Sequence, residues 1–196
     1  MRKLPPCLEN PIDNLIYFIV SIISPWFHDV GFTPNMITSL SLLCGVYSAA
    51  LILKRCYLWA MALYFIAYVL DCLDGYNARK YKMVSKFGDY YDHISDGLKI
   101  VLIMAAFYNV DSKLFIWILP IILLEFVFLS IHFGCQEVYY DQQDDSDTLS
   151  FIGIKLTSNK IVAAQLLCWT RIFGSGSFTL MLMIIMYIYK IYSVQI

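Results

Sequence analysis

The chain has 196 residues, of which 60% are hydrophobic and 15% are charged, and its formal net charge is −1. Soluble domains are typically ~45–50% apolar and ~25% charged, so this composition argues against a soluble domain and predicts a membrane protein with short loops. The near-neutral charge gives no reason to expect binding of nucleic acid. Six cysteines without paired spacing argue against a disulfide framework or a zinc site.

The N-terminal region is the first predicted element of a single membrane domain that covers residues 1–196. It begins with two basic residues, as a signal peptide does, but acidic residues interrupt it, so we expect it to be retained. At ~1.5 Å per residue, the apolar run 12–24 is too short to cross a membrane core of ~30 Å. We therefore predict an interfacial helix over residues 10–30, with an additional tilted span as the alternative.

Six transmembrane helices are predicted to follow, which makes the fold class an all-α helix bundle. The expected spans are residues 34–53, 58–79, 88–108, 114–133, 158–173 and 178–192, with an acidic loop over 137–147. Six spans place both termini on one side, where nine basic residues would lie against four on the other side. The positive-inside rule then predicts that both termini and the loop 80–87 face the cytosol.

Five aspartates lie where the second and third spans enter the membrane on that side. Asp71 and Asp74 belong to the second span, and Asp89, Asp92 and Asp96 belong to the third. At about 100° per residue, the acids of each span share one helix face. An eight-residue connection makes the two spans antiparallel neighbours, so we expect the two faces to meet in one cleft near the cytosol.

The composition of this cluster indicates a metal site. Carboxylates with no sulfur ligand suit Mg²⁺ or Mn²⁺, and four or five of them are more than one ion needs, so two ions are expected. Gly75 and Gly88 leave room for a substrate, and Arg79 lies where it can bind a phosphate. The competing interpretation is that the aspartates only pair with nearby lysines, among which Lys99 shares a face with Asp92 and Asp96 and is expected to neutralise them.

The spacing of these residues resembles a known family signature. Every fixed position of the CDP-alcohol phosphatidyltransferase motif is filled: Asp71-x2-Asp74-Gly75-x2-Ala78-Arg79-x8-Gly88-x3-Asp92-x3-Asp96. The "TPNMIT" stretch that starts the first span is similar to the family's Pro-Asn-x-x-Thr start. The resemblance implies that a lipid or polyol alcohol attacks a CDP-linked donor, CMP leaves and a phospholipid forms. Membrane lipids and a second copy of the chain, as a homodimer, are the further expected partners.

The resemblance also assigns roles to individual residues. The metal ligands it implies are Asp71, Asp74, Asp89, Asp92 and Asp96. The substrate-binding residues it implies are Asn35, Gly75, Ala78, Arg79, Ser85 and Gly88. The attacking hydroxyl needs a base, for which the two candidates are Asp96 and His93.

The sequence predicts the substrate less specifically than it predicts the family. The run "GDYYDHISD" is similar to the Gly-Glu-x-x-Asp-His-x-x-Asp run of choline and ethanolamine phosphotransferases, which favours transfer from CDP-choline or CDP-ethanolamine to diacylglycerol. The minimal six-span core resembles phosphatidylinositol and phosphatidylglycerophosphate synthases, so a CDP-diacylglycerol-dependent reaction is the alternative. A divalent-cation carrier is an alternative of another class, against which Arg79 and the clustering of the acids at one end argue.

Overall fold

The computed structural model describes residues 3–140 and 154–194 of the chain. The helices are α1 (Pro11–Asp29), α2 (Pro34–Leu53), α3 (Tyr57–Lys80), α4 (Lys86–Val110), α5 (Ser112–Tyr140), α6 (Lys160–Thr170) and α7 (Ser175–Val194). A 3-10 turn, Arg171–Phe173, joins α6 to α7. Within the described residues there is no strand, so the predicted all-α class is confirmed.

The local sequence explains where several helices begin. The Asn10 side chain accepts hydrogen bonds from the backbone N–H groups of the first turn of α1, and Pro11 occupies the first helical position. Thr33 and Pro34 repeat this arrangement at α2, and Ser85 caps α4 by accepting from the Gly88 N–H at 3.0 Å. A polar cap satisfies N–H groups that have no partner inside the helix, so these starts are encoded locally.

Helix α2 holds the two acidic helices in place. It packs against both α3 and α4, and this packing fixes their positions relative to each other. Small residues line the α2 surface, and two of them bond to α3: the Ser41 and Ser48 hydroxyls donate to the carbonyls of Ala67 and Ala60 at 2.8 Å. Small residues let helices approach closely in a membrane. The carboxylates of α3 and α4 therefore face each other beside α2.

The largest apolar cluster lies at the end of the bundle away from the aspartates. It joins α2, α3, α4, α5 and α7, and Ile52, Phe107 and Leu182 in it are fully buried. The Phe107 and Tyr189 rings stack with their centroids 4.8 Å apart, and Tyr189 also donates from its hydroxyl to the Phe107 carbonyl. This packing fixes one end of the bundle, and the acidic cleft occupies the other.

Helix α1 packs on α3 and on the start of α7. Ile16 and Val20 are buried in a cluster with Leu73 of α3, while the opposite face of α1 exposes Leu15, Phe18, Ile22 and Trp26. An exposed apolar stripe on a helix that packs against the bundle is typical of a helix at the membrane interface.

The expected fifth span differs most from the structure. Residues 158–173 contain only an eleven-residue helix, α6, followed by the 3-10 turn. Eleven residues rise only ~17 Å, which is less than the ~30 Å membrane core. The preceding helix, α5, extends instead to Tyr140, so Glu137 lies on a helix and pairs with Lys155 at 2.8 Å. The rest of the predicted acidic loop, residues 141–147, lies outside the described residues.

Four regions of the described chain are long and apolar enough to cross a membrane. They are Pro34–Leu53, Tyr57–Lys80, Ser112–Tyr140 and Lys160–Ser193, the last of which contains both α6 and α7. Helix α4 is not among them, because its N-terminal half carries the charged cluster. The structure therefore supports an integral membrane protein, and six spans are not confirmed.

Candidate active site

Three aspartates from two helices converge at the centre of the site. Asp71 and Asp74 lie one turn apart on α3, and Asp92 lies on α4. One carboxylate oxygen from each of them lies within 4.8 Å of the others. A spacing of three residues keeps both α3 acids on one face, and the packing of α2 against both helices brings that face to α4.

The surroundings of this triad fit a bound cation. Asp74 is 3% exposed, and its Oδ2 accepts a hydrogen bond of 2.5 Å from the Thr38 hydroxyl of α2. The Oδ1 atom of Asp92 is buried and has no hydrogen-bond partner among the described residues. A buried carboxylate oxygen without a partner is costly. All three side chains are carboxylates, the donor type that Mg²⁺ and Mn²⁺ prefer.

A buried lysine stands beside the triad. The Lys99 Nζ atom lies 2.7 Å from the Oδ1 atoms of both Asp71 and Asp96. It also donates to the Ser41 hydroxyl at 2.8 Å. Asp96 is therefore held next to the triad through Lys99. The expectation that Lys99 pairs with the aspartates of its own face is confirmed for Asp96, and Lys99 also reaches across the cleft to Asp71.

These acids open into a cavity of about 460 Å³. The cavity is lined from α1, α3, α4, α5 and α7, and the predicted site residues in its wall are Asp71, Asp74, Gly75, Arg79, Asp92, His93 and Asp96. The Arg79 guanidinium lies over Gly75, where an added Cβ would be 3.2 Å from Nη1. The glycine thus lets Arg79 lie against its own helix at the cavity wall.

Part of the cavity wall comes from the N-terminal region. Glu9 and Asp13 line it, and both are nearly fully buried. Asp13 accepts hydrogen bonds from the hydroxyls of Tyr68 and Ser175. Burial raises the pKa of Asp13 above its ordinary value, and these two hydrogen bonds oppose the rise.

Three further predicted residues form a second group at the starts of α2 and α4. A Cβ added at Gly88 would lie 3.0 Å from the Asn35 Oδ1 atom and 3.0 Å from the Ser85 hydroxyl. Gly88 therefore lets α4 begin close against Asn35. Among the described residues that line the cavity, this group does not appear.

Two more predicted residues lie one turn apart on α4. The Nε2 atom of His93 lies 3.6 Å from the Oδ1 atom of Asp89, and of the two only His93 contributes to the cavity wall. The remaining predicted residue, Ala78, lies on α3 and is half-buried. The structure thus brings seven of the twelve predicted site residues to one cavity.

Comparison with known proteins decides the family. The family model described as CDP-alcohol phosphatidyltransferase matches residues 32–194, which include α2 to α7 and every aspartate of the site. The chain belongs to the CDP-alcohol phosphatidyltransferase family. The members of this family are phosphotransferases that act in phospholipid synthesis at membranes. The apolar helices described above agree with this setting.

Two relatives of this CDP-alcohol phosphatidyltransferase family member share part of its sequence. An uncharacterized CDP-alcohol phosphatidyltransferase class-I family protein 2 of Dictyostelium discoideum is 33% identical over 93 residues, covering 39% of this chain and 23% of that protein. A CDP-diacylglycerol--glycerol-3-phosphate 3-phosphatidyltransferase of Haemophilus influenzae is 38% identical over 63 residues, covering 32% of this chain and 33% of that protein. The matches therefore span a third or less of either relative.

Sequence reasoning did not assign a role to two residues that support the site. Thr38 ends the "TPNMIT" stretch, yet its bond to Asp74 joins residues 36 positions apart. Ser41 lies one turn further along α2, and its hydroxyl accepts a hydrogen bond from Lys99. The sequence signal for both is a polar residue at helical spacing in an otherwise apolar span, but its partner is set only by helix packing.

Proposed function

We propose that this protein transfers a phospho-alcohol or phosphatidyl group from a CDP-linked donor to an alcohol acceptor and releases CMP. The observation that carries the proposal is the convergence of Asp71, Asp74 and Asp92 within 4.8 Å at one wall of a 460 Å³ cavity. Family membership supports the same reaction class. The product would be a phosphodiester lipid, which accords with a site among apolar helices.

We propose that Mg²⁺ or Mn²⁺ is the cofactor, with two ions in the complete site. Asp71, Asp74 and Asp92 would hold the first ion, and Asp96 together with Asp71 would contribute to the second. Asp89, one turn before Asp92 on α4, is the further ligand implied by the resemblance. Bound ions would neutralise the donor pyrophosphate and stabilise the negative charge that develops during transfer.

The other cavity residues bind and orient the substrates in this proposal. Arg79 presents a guanidinium to the donor phosphates, since its planar fork matches phosphate oxygens. The absence of a side chain at Gly75 and Gly88, and the short side chain of Ala78, would leave room for the nucleotide. Asn35 and Ser85, which meet at Gly88, would contact polar groups of the nucleotide and a phosphate.

The attacking hydroxyl must lose a proton, and two residues are the candidates to accept it. His93 and Asp96 lie one turn apart on α4, and both line the cavity. An aspartate that holds a metal ion is a poor proton acceptor, whereas an imidazole is suited to this role near neutral pH. We propose His93 as the base and Asp96 as a metal ligand, with Asp96 as the competing base.

The donor we favour is CDP-choline or CDP-ethanolamine, with diacylglycerol as the acceptor. The pairing of Asp89 with His93 at 3.6 Å supports this preference, because the resembling run of choline and ethanolamine phosphotransferases carries an acid and a histidine at these two positions. The name of the Haemophilus relative supports the alternative, in which CDP-diacylglycerol is the donor and glycerol 3-phosphate the acceptor.

The proposed setting is a six-span protein with its site at the cytosolic face. Helix α4 would be the additional span, shielding its charges in the cleft. Helix α6, which is too short to cross alone, would cross together with the flanking residues 154–159 and the 3-10 turn, and α7 would be the last span. The distribution of basic residues supports this orientation. Membrane lipids and a second copy of the chain are the partners we propose alongside the substrates.

A substrate panel tests the proposal. Purified protein in lipid nanodiscs with Mg²⁺ is given labelled CDP-choline, CDP-ethanolamine or CDP-diacylglycerol, each with diacylglycerol, inositol or glycerol 3-phosphate, and CMP and lipid products are measured. We expect CMP release with an aminoalcohol donor and diacylglycerol. CMP release only with CDP-diacylglycerol would assign the alternative, and no CMP release with any pair would refute the proposed function.

The divalent-cation carrier considered from the sequence loses its support. The chain belongs to a family of enzymes, and Arg79 shares the cavity wall with the acids, where its charge would repel a passing cation. Radioactive Mn²⁺ uptake into proteoliposomes that contain the protein is expected to equal uptake into empty vesicles.

A further inference from the structure

Lys99 is the most buried basic residue of the site. The whole residue is 6% exposed, and its side chain is 7% exposed, compared with 26% for Asp71 and 38% for Asp96. Its ammonium lies 2.7 Å from one oxygen of each aspartate. An ammonium at this depth requires close anionic partners, which Asp96 of its own helix and Asp71 of α3 provide. The ion pair with Asp71 connects α4 to α3.

Two residues of helix α2 accommodate this lysine. The Ser41 hydroxyl accepts from Lys99 Nζ at 2.8 Å and donates to the Ala67 carbonyl of α3 at 2.8 Å. One turn further along, a Cβ added at Gly45 would lie 2.6 Å from Lys99 Cγ and 2.9 Å from Cδ. The lysine stem therefore fills the space that a glycine leaves, and three helices together fix the ammonium.

The position of the ammonium distinguishes two groups of aspartates that share Asp71. Asp71, Asp74 and Asp92 form the triad whose oxygens lie within 4.8 Å of one another. The proposed second ion needs Asp71 and Asp96, and Lys99 holds one oxygen of each. A divalent cation entering there would lose those oxygens to the lysine and would be repelled by a fixed positive charge at close range.

We infer that Lys99 is a positioning residue that orders metal binding: its ammonium takes the place of the second cation between Asp71 and Asp96 until the donor pyrophosphate arrives. This inference rests on the proposed function. The pyrophosphate adds negative charge and oxygen ligands, which offset the repulsion and admit the second ion. The site thus holds one ion before the nucleotide binds and two ions afterwards.

Counting bound Mn²⁺ tests this order. The purified 196-residue chain in detergent is titrated with Mn²⁺, with and without CDP. Bound ions are counted by electron paramagnetic resonance, in which a close pair gives a spin-coupled signal. We expect one tightly bound Mn²⁺ per chain without CDP. With CDP we expect two Mn²⁺ per chain and the coupled signal.

Replacing Lys99 is expected to let the second ion bind without the nucleotide. Lys99→Met keeps an unbranched stem but frees Asp71 and Asp96, so it should bind two Mn²⁺ per chain without CDP. Lys113→Met is the matched control, because Lys113 is exposed at the start of α5, and it should bind like the wild type. If Lys99→Met does not fold, the wild-type titrations alone still test whether the second ion needs CDP.

The outcomes separate this inference from the proposed function. A wild type that binds two equivalent Mn²⁺ without CDP, or only one with CDP, would overturn the inference and leave the proposed function standing. Lys99→Met with a single Mn²⁺ in the absence of CDP would do the same. A protein that binds no Mn²⁺ under any condition, yet releases CMP, would refute the metal site and with it the inference.

Discussion

Thr38 connects the sequence motif at the start of α2 to the carboxylate triad. Its hydroxyl donates to Asp74 at 2.5 Å in a buried position, and so orients one of the proposed ligands before any ion binds. A ligand that is already oriented binds an ion with a smaller loss of conformational freedom. Helix geometry therefore brings Asp74 to the same face as Asp71, and Thr38 orients its carboxylate.

We predict that Thr38→Val weakens Mn²⁺ binding. Removing a hydrogen bond to a charged group costs about 1.5–3 kcal/mol, so we expect a rise in the Mn²⁺ dissociation constant of roughly ten-fold to a hundred-fold. Isothermal titration calorimetry measures it. Thr38→Ser keeps the hydroxyl and should stay close to the wild type, and equal affinities for the serine and valine variants would show that the hydrogen bond has no role.

The choice of base gives the second prediction. If His93 accepts the proton, His93→Gln should lower kcat by roughly two to four orders of magnitude while CDP binding persists. Asp96→Asn should mainly weaken Mn²⁺ binding. The measurements are kcat for CMP release and the dissociation constants of CDP and Mn²⁺. Near-normal turnover in His93→Gln, with an inactive Asp96→Asn that still binds metal, would assign the base to Asp96.

At the scale of elements, the sequence predicts which aspartates share a helix face better than it predicts how the helices pack together. The three-residue spacing of Asp71 and Asp74 depends only on helix geometry, so their shared face follows from the chain itself. The contact of Gly45 with Lys99 joins positions 54 residues apart, and no periodic pattern indicates it. The short α6 was missed for a similar reason, because hydropathy over 158–173 does not show where a helix ends.

The packing of α2 against α4 gives the third prediction. An alanine at Gly45 would place its Cβ 2.6 Å from Lys99 Cγ, near the backbone end of the stem, so the ammonium must move from its place between Asp71 and Asp96. We expect Gly45→Ala to bind more than one Mn²⁺ per chain without CDP. Val46→Ala, at a partly exposed neighbour on the same helix, should bind one, and a single Mn²⁺ in both variants would contradict the packing argument.

At the scale of the whole molecule, the two ends of the bundle differ in chemistry. One end carries the acidic cleft and the basic loop between α3 and α4, and the other carries the apolar cluster and the turn between α2 and α3. A nucleotide donor is water-soluble at its CDP end, so the cleft has to open to an aqueous face. The excess of basic residues on that side predicts that the face is cytosolic.

Cysteine labelling tests this orientation. In a variant without other cysteines, Ser85→Cys between α3 and α4 should react with a membrane-impermeant maleimide only after the cytosolic face is opened. A matched variant that keeps only the native Cys56, which is exposed between α2 and α3, should react from the opposite face. The reverse pattern would contradict the orientation, and labelling of both positions from one face would contradict an odd number of crossings between them.

The most direct test of the account is the metal dependence of CMP release from a CDP-linked donor. In nanodiscs with diacylglycerol, the wild type should release CMP with Mg²⁺ or Mn²⁺, lose this activity in EDTA and regain it when the ion is restored. Asp92→Asn should lose at least roughly a hundred-fold in rate, because it removes a ligand of the ion that stabilises the transition state, whereas the exposed Asp29→Asn should match the wild type. Full CMP release in EDTA, or an Asp92→Asn variant as active as the wild type, would contradict the account.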